Sequence, residues 1–374
     1  MIALAAGLAV LAGALAVWSY VAYPAVIDRL SRGAEGGDES SGGPRSLEVV
    51  LSAADEEEVI VPRVENLLAQ TVGVPLRISI GCDGCRDRTA ERASAILGDR
   101  GRVVEFPARR GKAAVLNELV SESEADVVVF TDANTVFEPG AIRELGDAFR
   151  DPSVGAVCGR LVLEEGPGGG SPEALFWDRE TRAKEAEGRL GVCLGANGAI
   201  YAARRTWIEP LPAGSAMDDF LIPARIAREG RKVVFRGAAV AREEAGKDVA
   251  AEFGRRFRIG TGAGQILRQE TWLFNPRHRR LLSFVFLSRK AARWISPVLF
   301  FAAATAAVGD ARLRPAGEIV LAASLLLALS AAARPRPTGI LGRLYYFCVI
   351  NIALAAGVVA GLLGYRRPVW RRRR

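Results

Sequence analysis

Two kinds of apolar pattern divide the chain. Residues 1–23 (MIALAAGLAVLAGALAVWSYVAY) contain no charged side chain, and as a helix they are long enough to cross a hydrocarbon core of about 30 Å. Three further long apolar segments lie at 293–309, 317–333 and 342–364. Between these and the first run, apolar stretches of strand length alternate with amphipathic ones. "SLEVVLSA" reads as a buried strand, and "DEEEVIVPRVENLLAQ" as a helix whose acidic start suits the positive end of the helix dipole. The alternation continues with strand "VPLRISIG", helix "CRDRTAERASAIL", strand "RVVEF", helix "GKAAVLNELVSES" and strand "DVVVFTD". Strands that are continuous apolar runs, separated by helices, predict an α/β fold with a mostly parallel sheet covered on both faces.

In such sheets ligands bind beyond the carboxyl ends of the strands. Those ends carry the unusual polar groups here: Asp55 and Glu56 after the first strand, Asp83 after the second, Asp132 and Asn134 after the fourth. Taken alone, "TDAN" is a capped turn, since Asp and Asn favour turns and helix starts. Neighbouring carboxylates, however, repel one another unless a cation joins them. Hard divalent cations prefer oxygen ligands and are often shared with substrate phosphates. The constellation therefore suits a nucleoside diphosphate compound held with Mg2+ or Mn2+. Lys112, just ahead of a helix, would add positive charge toward phosphate oxygens; by itself it is equally a solvated helix-start lysine.

The 374 residues carry a formal net charge of +8, enough chain for one large or two ordinary domains. Basic residues cluster beside the apolar runs. Arg29 and Arg32 follow the first, and Arg289, Lys290 and Arg293 precede the second, which places the globular part on the cytoplasmic side of the cell (inner) membrane. No basic segment precedes the first run, and it exceeds a signal-peptide core, so it reads as a retained anchor. The tail "RRPVWRRRR", with six arginines, conflicts with three C-terminal crossings, which would put it outside. Either 293–309 (broken by Pro297) or 317–333 lies in the interface, or the tail departs from the charge rule. Such a tail attracts anionic lipid headgroups at about 1 kcal/mol per Arg near a charged surface, and its place beside a membrane span argues against nucleic acid as a partner. "RGAEGGDESSGGPR" (32–45) has linker composition, and "GPGGGS" (166–171) reads as a mobile loop. Cys82 and Cys85 form a CxxC, but no second pair accompanies it among the five cysteines; loop packing explains it better than metal or redox use. The single histidine, His278, lies in the basic run "PRHRR". A His-based triad is thereby excluded, and acid–base chemistry falls to carboxylates.

These residues, in order, resemble the family 2 glycosyltransferases of the GT-A fold, over about residues 47–300. "VVLSAADEEEVI" resembles the family's opening strand and Asn-Glu-Glu turn, with Asp55 where Asn is usual. "GCDGCRDRTAE" resembles its Asp-Gly-x-x-Asp-x-Thr segment, and "GKAAVLNE" its Gly-Lys-x-x-x-Leu-Asn motif. "TDANT" occupies the place of the Asp-x-Asp metal motif. "GANGAIYAARR" resembles the acceptor-side loop, "MDDFLIPARIAREGRKVVF" the segment holding the catalytic base, and "EFGRRFRIGTGAGQ" with "FLSRKAARWISP" the amphipathic lead into C-terminal spans. Together, composition and resemblance divide the chain into an anchor (1–23), a linker (24–46), a catalytic domain (47–245), an amphipathic interface region (246–292), and membrane helices with a basic tail (293–374).

What the family implies for the site can be carried over residue by residue. Ala53, Asp55, Glu56, Asp83 (toward the nucleoside base), Lys112, Asn117 and Asp132 would bind the donor, a nucleotide-sugar, most simply a UDP-sugar. Asp132 and Asn134 would hold the metal, Asn removing one negative charge and weakening the site. Gly195, Asn197, Gly198, Arg255 and Arg258 would lie on the acceptor or diphosphate side. Asp219 would be the base for an inverting displacement and Asp218 its neighbour; a dipole-matched helix cap is the plainer reading of that pair. The acceptor would be lipid-linked or a saccharide. Ile259 stands where polymer synthases of the family carry Trp after Arg-x-x-Arg, which tilts toward single transfers. Two other readings stay open: a nucleotidyltransferase, disfavoured by the acidic "SAADEEE", and a weak or inactive membrane subunit that supports a partner synthase.

Overall fold

The computed structural model describes residues 1–34, 42–164, 172–244, 249–277, 279–331 and 339–365. The middle of the linker, the "GPGGGS" segment, His278 and the arginine-rich tail lie outside these residues. The described residues form two compact units, one over 27–244 and one joining 1–26 to 249–365. Helix α1 (Ile2–Val17), a π-helical turn at Trp18–Ala22 and α2 (Tyr23–Ser31) form one continuous N-terminal helix, so the segment expected as linker from residue 24 begins helical.

Among the described residues, eight strands make one sheet: β1 (Leu47–Ala53), β2 (Leu76–Asp83), β3 (Gly101–Phe106), β4 (Val127–Thr131), β5 (Val136–Phe137), β6 (Val154–Glu164), β7 (Tyr201–Arg204) and β8 (Lys232–Glu244), in the order β3-β2-β1-β4-β7-β6-β8-β5. The expected parallel half, β3-β2-β1-β4, is present. Beyond it the sheet is mixed, because β7 runs antiparallel to both β4 and β6, and β5 antiparallel to β8. The helices of this unit are α3 (Ile60–Leu68), α4 (Thr89–Leu97), α5 (Lys112–Ser121), α6 (Ala141–Asp147), α7 (Pro172–Arg189) and α8 (Asp218–Arg228).

Strand periodicity sorts side chains between the two faces. Leu47, Val49, Leu51 and Ala53 of β1, with Val127 and Val129 of β4, pack in one buried cluster with Ile60, Val64 and Leu67 of α3, Ala93 and Leu97 of α4, and Ile142 and Leu145 of α6. The opposite face receives α5. Gly81 of β2 lies under it, where a Cβ would stand 2.2 Å from Val115 Cγ1, so only glycine admits α5 so closely. The helix expected to begin at Asp55 begins at Ile60. Asp55 has φ +58°, a left-handed conformation that Asn and Asp tolerate better than other side chains. The acidic residues thus stay at the strand end instead of entering the helix.

The second unit contains α9 (Val249–Gln269), α10 (Arg280–Val285), a π-helical turn at Phe286–Ala291, α11 (Ala292–Val308), α12 (Arg314–Ser330) and α13 (Gly339–Leu362). Among the described residues, three helices are long and apolar enough to cross a membrane: Ile2–Ser31, Arg280–Val308 and Gly342–Leu362. The segment at 293–309 is therefore part of a longer helix that Pro297 does not end, and the shorter element is α12, with 17 residues.

Helices α9 and α13 meet backbone to backbone. A Cβ on Gly264 would stand 2.2 Å from the Val358 carbonyl oxygen, and one on Gly361 2.2 Å from that of Thr261. Small residues of this kind let helix backbones approach closely. Gly264→Leu is expected to destabilise this crossing by about 1–3 kcal/mol or more, the usual cost of overpacking. Gly254→Leu, at a position of α9 with nothing within 4 Å, is expected to be near neutral. Melting curves of the detergent-solubilised variants would check the contrast.

Candidate active site

The carboxyl end of β4 and the first turns of α5 and α8 converge on one lysine. Lys112 Nζ lies 2.9 Å from Asp132 Oδ1 and 3.3 Å from Asp218 Oδ1. Burial alone would lower the lysine pKa, but the charges of Asp132 and Asp218 and the hydrogen bond to Asp132 outweigh it and raise it. The other oxygen of Asp218 accepts a hydrogen bond from Tyr201 Oη at 2.8 Å. Tyr201 is fully buried and stacks on Phe130, with ring centroids 4.5 Å apart. Burial, followed by the Asp218 charge, pushes its phenol pKa well up, so it remains a donor. Asp218 is thus committed on both sides.

Asp219 follows in the first turn of α8 and takes a different direction, as adjacent helical residues do. Its Oδ2 lies 3.7 Å, and Asp132 Oδ2 lies 3.8 Å, from the point where a Cβ on Gly198 would stand. The two carboxylates therefore face one space across a residue with no side chain. The Asp219 main-chain carbonyl accepts Ala196 N–H at 2.8 Å, which ties α8 to this turn.

The expected donor residues group at the ends of β1 and β2, largely engaged with one another. Asp83 accepts the N–H groups of Arg110 (2.6 Å) and Gly111 (2.9 Å), fixing the backbone that delivers Lys112. Asp55 accepts Arg86 N–H at 2.8 Å and pairs with Arg109. Glu56 is buried, its N–H donating to Thr89 Oγ1 at 2.9 Å, and the Ala53 carbonyl accepts the Cys85 thiol at 3.6 Å. Asn117 makes both amide bonds to the main chain of Leu211 (2.9 and 2.8 Å), bracing the loop that leads to α8.

Of the residues expected on the acceptor side, Gly195 has φ +75°. Asn197 is a buried brace: its oxygen accepts from Lys184, its amide donates to the Gly159 carbonyl at 2.7 Å, and its N–H to Cys158 Sγ at 3.3 Å. Arg255 and Arg258 belong to α9 in the other unit, where Arg255 bonds Glu252 at 2.7 and 3.1 Å.

Two places could be asked to hold a metal. Asp132 is half-buried and Asn134 exposed at the β4–β5 turn; both carry the hard oxygens that a divalent cation prefers, and Asp132 Oδ1 is paired with Lys112. Ligand atoms of Asp55, Cys85 and Asp87 also lie within 4.8 Å of one another. There, however, Arg109 and the Arg86 N–H hold Asp55, and Thr89 N–H bonds Asp87 at 3.1 Å, so the protein already supplies partners. Cys82 is buried and Cys85 half-buried in this turn, as loop packing requires.

Sequence reading missed Tyr201 and Arg63. Tyr201 stands among alanines in "GAIYAARR", a lone large polar-tipped residue in a small-residue strand, which was a usable signal. Arg63 falls in a helix of ordinary composition and gave none.

Comparison with known proteins places the chain in a family. Residues 44–262, more than half of the chain, match the family model "Glycosyltransferase like family 2". An N-acetylglucosaminyltransferase of Azorhizobium caulinodans is 25% identical over 184 residues, 48% of this chain and 46% of that protein. A poly-beta-1,6-N-acetyl-D-glucosamine synthase of Staphylococcus aureus is 32% identical over 112 residues, 29% of this chain and 27% of that one. The chain therefore spans less than half the length of these two relatives. Among solved structures, a mannosyltransferase from Pyrobaculum calidifontis, in complex with GDP-Man and Mn2+, superposes with TM-score 0.63 at 21% identity, covering 95% of this chain and 99% of that one. This likeness shows the GT-A fold. With the family model spanning the sheet, the Lys112 cluster and both aspartates of α8, the chain belongs to the family 2-like glycosyltransferases.

Proposed function

We propose that the protein is a membrane-bound inverting glycosyltransferase that moves a sugar from a nucleotide-sugar to a lipid-linked or saccharide acceptor, in cell-envelope or extracellular polysaccharide or glycolipid synthesis. The observation that carries this reading is the division of labour around Lys112: one carboxylate at the strand end (Asp132), one locked behind the lysine (Asp218), and one facing Asp132 across Gly198 (Asp219). A sugar hydroxyl is a weak nucleophile near neutral pH and needs a base as it attacks the anomeric carbon. Asp219 takes that proton. Lys112 stabilises the leaving diphosphate, a contribution that is often the largest in such chemistry. Asp218 and Tyr201 fix the lysine; Asp83 fixes the backbone before it. Asp132 and Asn134 would hold Mg2+ or Mn2+, which supplies further charge for the diphosphate.

The names of the relatives favour N-acetylglucosamine as the transferred sugar, carried in our reading on UDP; the mannosyltransferase of the same fold was solved with GDP-Man and Mn2+. The three apolar helices support a multi-pass membrane protein, and the basic residues beside them support a cytoplasmic catalytic domain in the inner membrane. If α12 does not cross, the arginine-rich tail falls on that same side, as the charge rule prefers. Calorimetric titration of the detergent-purified protein with UDP and GDP, with and without Mn2+, tests the reading. Metal-dependent binding of one nucleotide is expected; no binding of either would sink it in favour of a supporting subunit. Asn134→Asp, which returns a second carboxylate, is expected to tighten Mn2+-dependent nucleotide binding on the order of tenfold, as ligand charge tunes hard-cation sites.

A further inference from the structure

One side of α3 is polar where it meets the turn carrying Asp132. Arg63 and Asn66, three apart, share a face of α3, and Gln70 follows just beyond its C-terminus. Arg63 is 2% exposed. Its guanidinium donates to Asn66 Oδ1 at 2.7 Å and to Thr131 Oγ1 at 2.6 Å, and lies 4.3 Å over the Phe137 ring. Thr131 Oγ1 in turn donates to the Ala199 carbonyl at 2.7 Å. Asn66 grips Phe137 by both main-chain groups, each at 2.9 Å, and Gln70 donates to the Glu138 carbonyl at 3.1 Å.

The partners of this network flank the chemistry without belonging to it. Thr131 immediately precedes Asp132, Phe137 closes the same turn, and Ala199 immediately follows Gly198. A buried cation is costly unless well paired, and an apolar residue would fill this space against the core cluster more simply. Burial pushes the Arg63 guanidinium down to about 9, against the charges of Asp132 and Glu243, so it stays charged near neutral pH. Asp132 thus has Lys112 on the α5 face of the sheet and Arg63 on the α3 face.

We propose that Arg63 is a positioning residue: through Thr131 and Asn66 it ties the metal turn (131–137) and the acceptor-side turn (197–200) into one rigid piece, which keeps Asp132 in register with the wall of the space that Asp219 faces. This rests on the glycosyltransferase reading above. A donor bound at Asp132 would then still bind without the brace, but its anomeric carbon would be misaligned with the base. Displacements on the order of 1 Å from such remote changes cost about a hundredfold in rate.

The test uses the full chain in detergent, with Arg63→Met, Arg63→Lys and Thr131→Val. Thr131→Val removes one hydroxyl and keeps the shape, so it carries the test if the arginine variants do not fold. Nucleoside diphosphate affinity is measured by calorimetry with Mn2+, and kcat by nucleotide release. The expected result is a kcat lower by about tenfold or more with an affinity changed by less than about threefold, and Arg63→Lys intermediate between wild type and Arg63→Met. Folded variants with unchanged kcat would overturn the inference, as would affinity falling in step with kcat. Asp219→Asn, run in parallel, separates the two levels. If it retains full turnover, or wild type turns over no donor, the underlying reading fails and this inference with it. If it is inactive while Thr131→Val is unaffected, only the role of Arg63 fails.

Discussion

Asp219→Asn is expected to lower kcat by about 10²- to 10⁴-fold, the usual contribution of a positioned general base, with donor affinity nearly unchanged. The amide keeps the size of the side chain and its place in the first turn of α8, so melting temperature and nucleotide binding should hold. What it loses is the ability to accept the proton of the acceptor hydroxyl. Asp218→Asn should behave differently. That carboxylate is buried, accepts from Tyr201 at 2.8 Å and faces Lys112 at 3.3 Å, so its neutralisation loosens the lysine and weakens donor binding as well. A split between the two neighbours, kcat alone for Asp219 and both parameters for Asp218, distinguishes a base beside a brace from two equivalent carboxylates. Steady-state kinetics on the two variants measures it.

Lys112→Met is the second large effect. Removing the ammonium leaves Asp132 and Asp218 facing each other without the cation that joins them. Breaking a fully buried pair typically costs 3–5 kcal/mol. Here the lysine side chain is 28% exposed and that of Asp132 37%, so solvent screening reduces the loss to about 1–3 kcal/mol. Turnover should fall about 10²- to 10³-fold, as when one donor to a developing negative charge is removed. Lys112→Arg should not restore it, because the larger planar guanidinium does not reproduce the position of the compact ammonium between the two carboxylates. The pH dependence has a definite sign. The folded-state pKa of Lys112 lies above its ordinary 10.5, so its contribution to stability is fully present below 10.5 and is lost only as pH rises through the higher folded value. The stability gap between wild type and Lys112→Met should therefore be flat from pH 6 to pH 9 and close only in strong alkali. Denaturant titrations at several pH values would check this.

The sequence showed the parallel half of the sheet because each strand there is a single buried apolar run followed by an amphipathic helix. It did not show the mixed half. β5 is two residues long, and the eleven-residue β6 and thirteen-residue β8 pair with register shifts, so period-two alternation fails along them. The residues that the fold brings together, Asp132 at a strand end and Lys112 and Asp218–Asp219 at helix starts, all stand in motifs visible in the sequence. Motif membership did not say what each group does. Asn117 spends its amide on Leu211, 94 residues away, and Asn197 is closed in by Lys184 and Gly159. Arg63 was invisible because its meaning lies in Thr131, 68 residues further on, a pairing that no local pattern records. The departure at Asp55 finds a physical reason only in three dimensions: a left-handed backbone position, which Asp as well as Asn accepts, with Arg109 as counter-ion.

We propose that the residues around Lys112 transfer a sugar with Asp219 as the base. Nucleotide diphosphate release by the detergent-purified protein tests it most directly, using a panel of UDP- and GDP-sugars, Mg2+ or Mn2+, and membrane lipid extract as acceptor. Release from one donor that depends on metal and vanishes in Asp219→Asn is the predicted result. Release that persists undiminished in Asp219→Asn, or no release by wild type from any donor, would contradict the account.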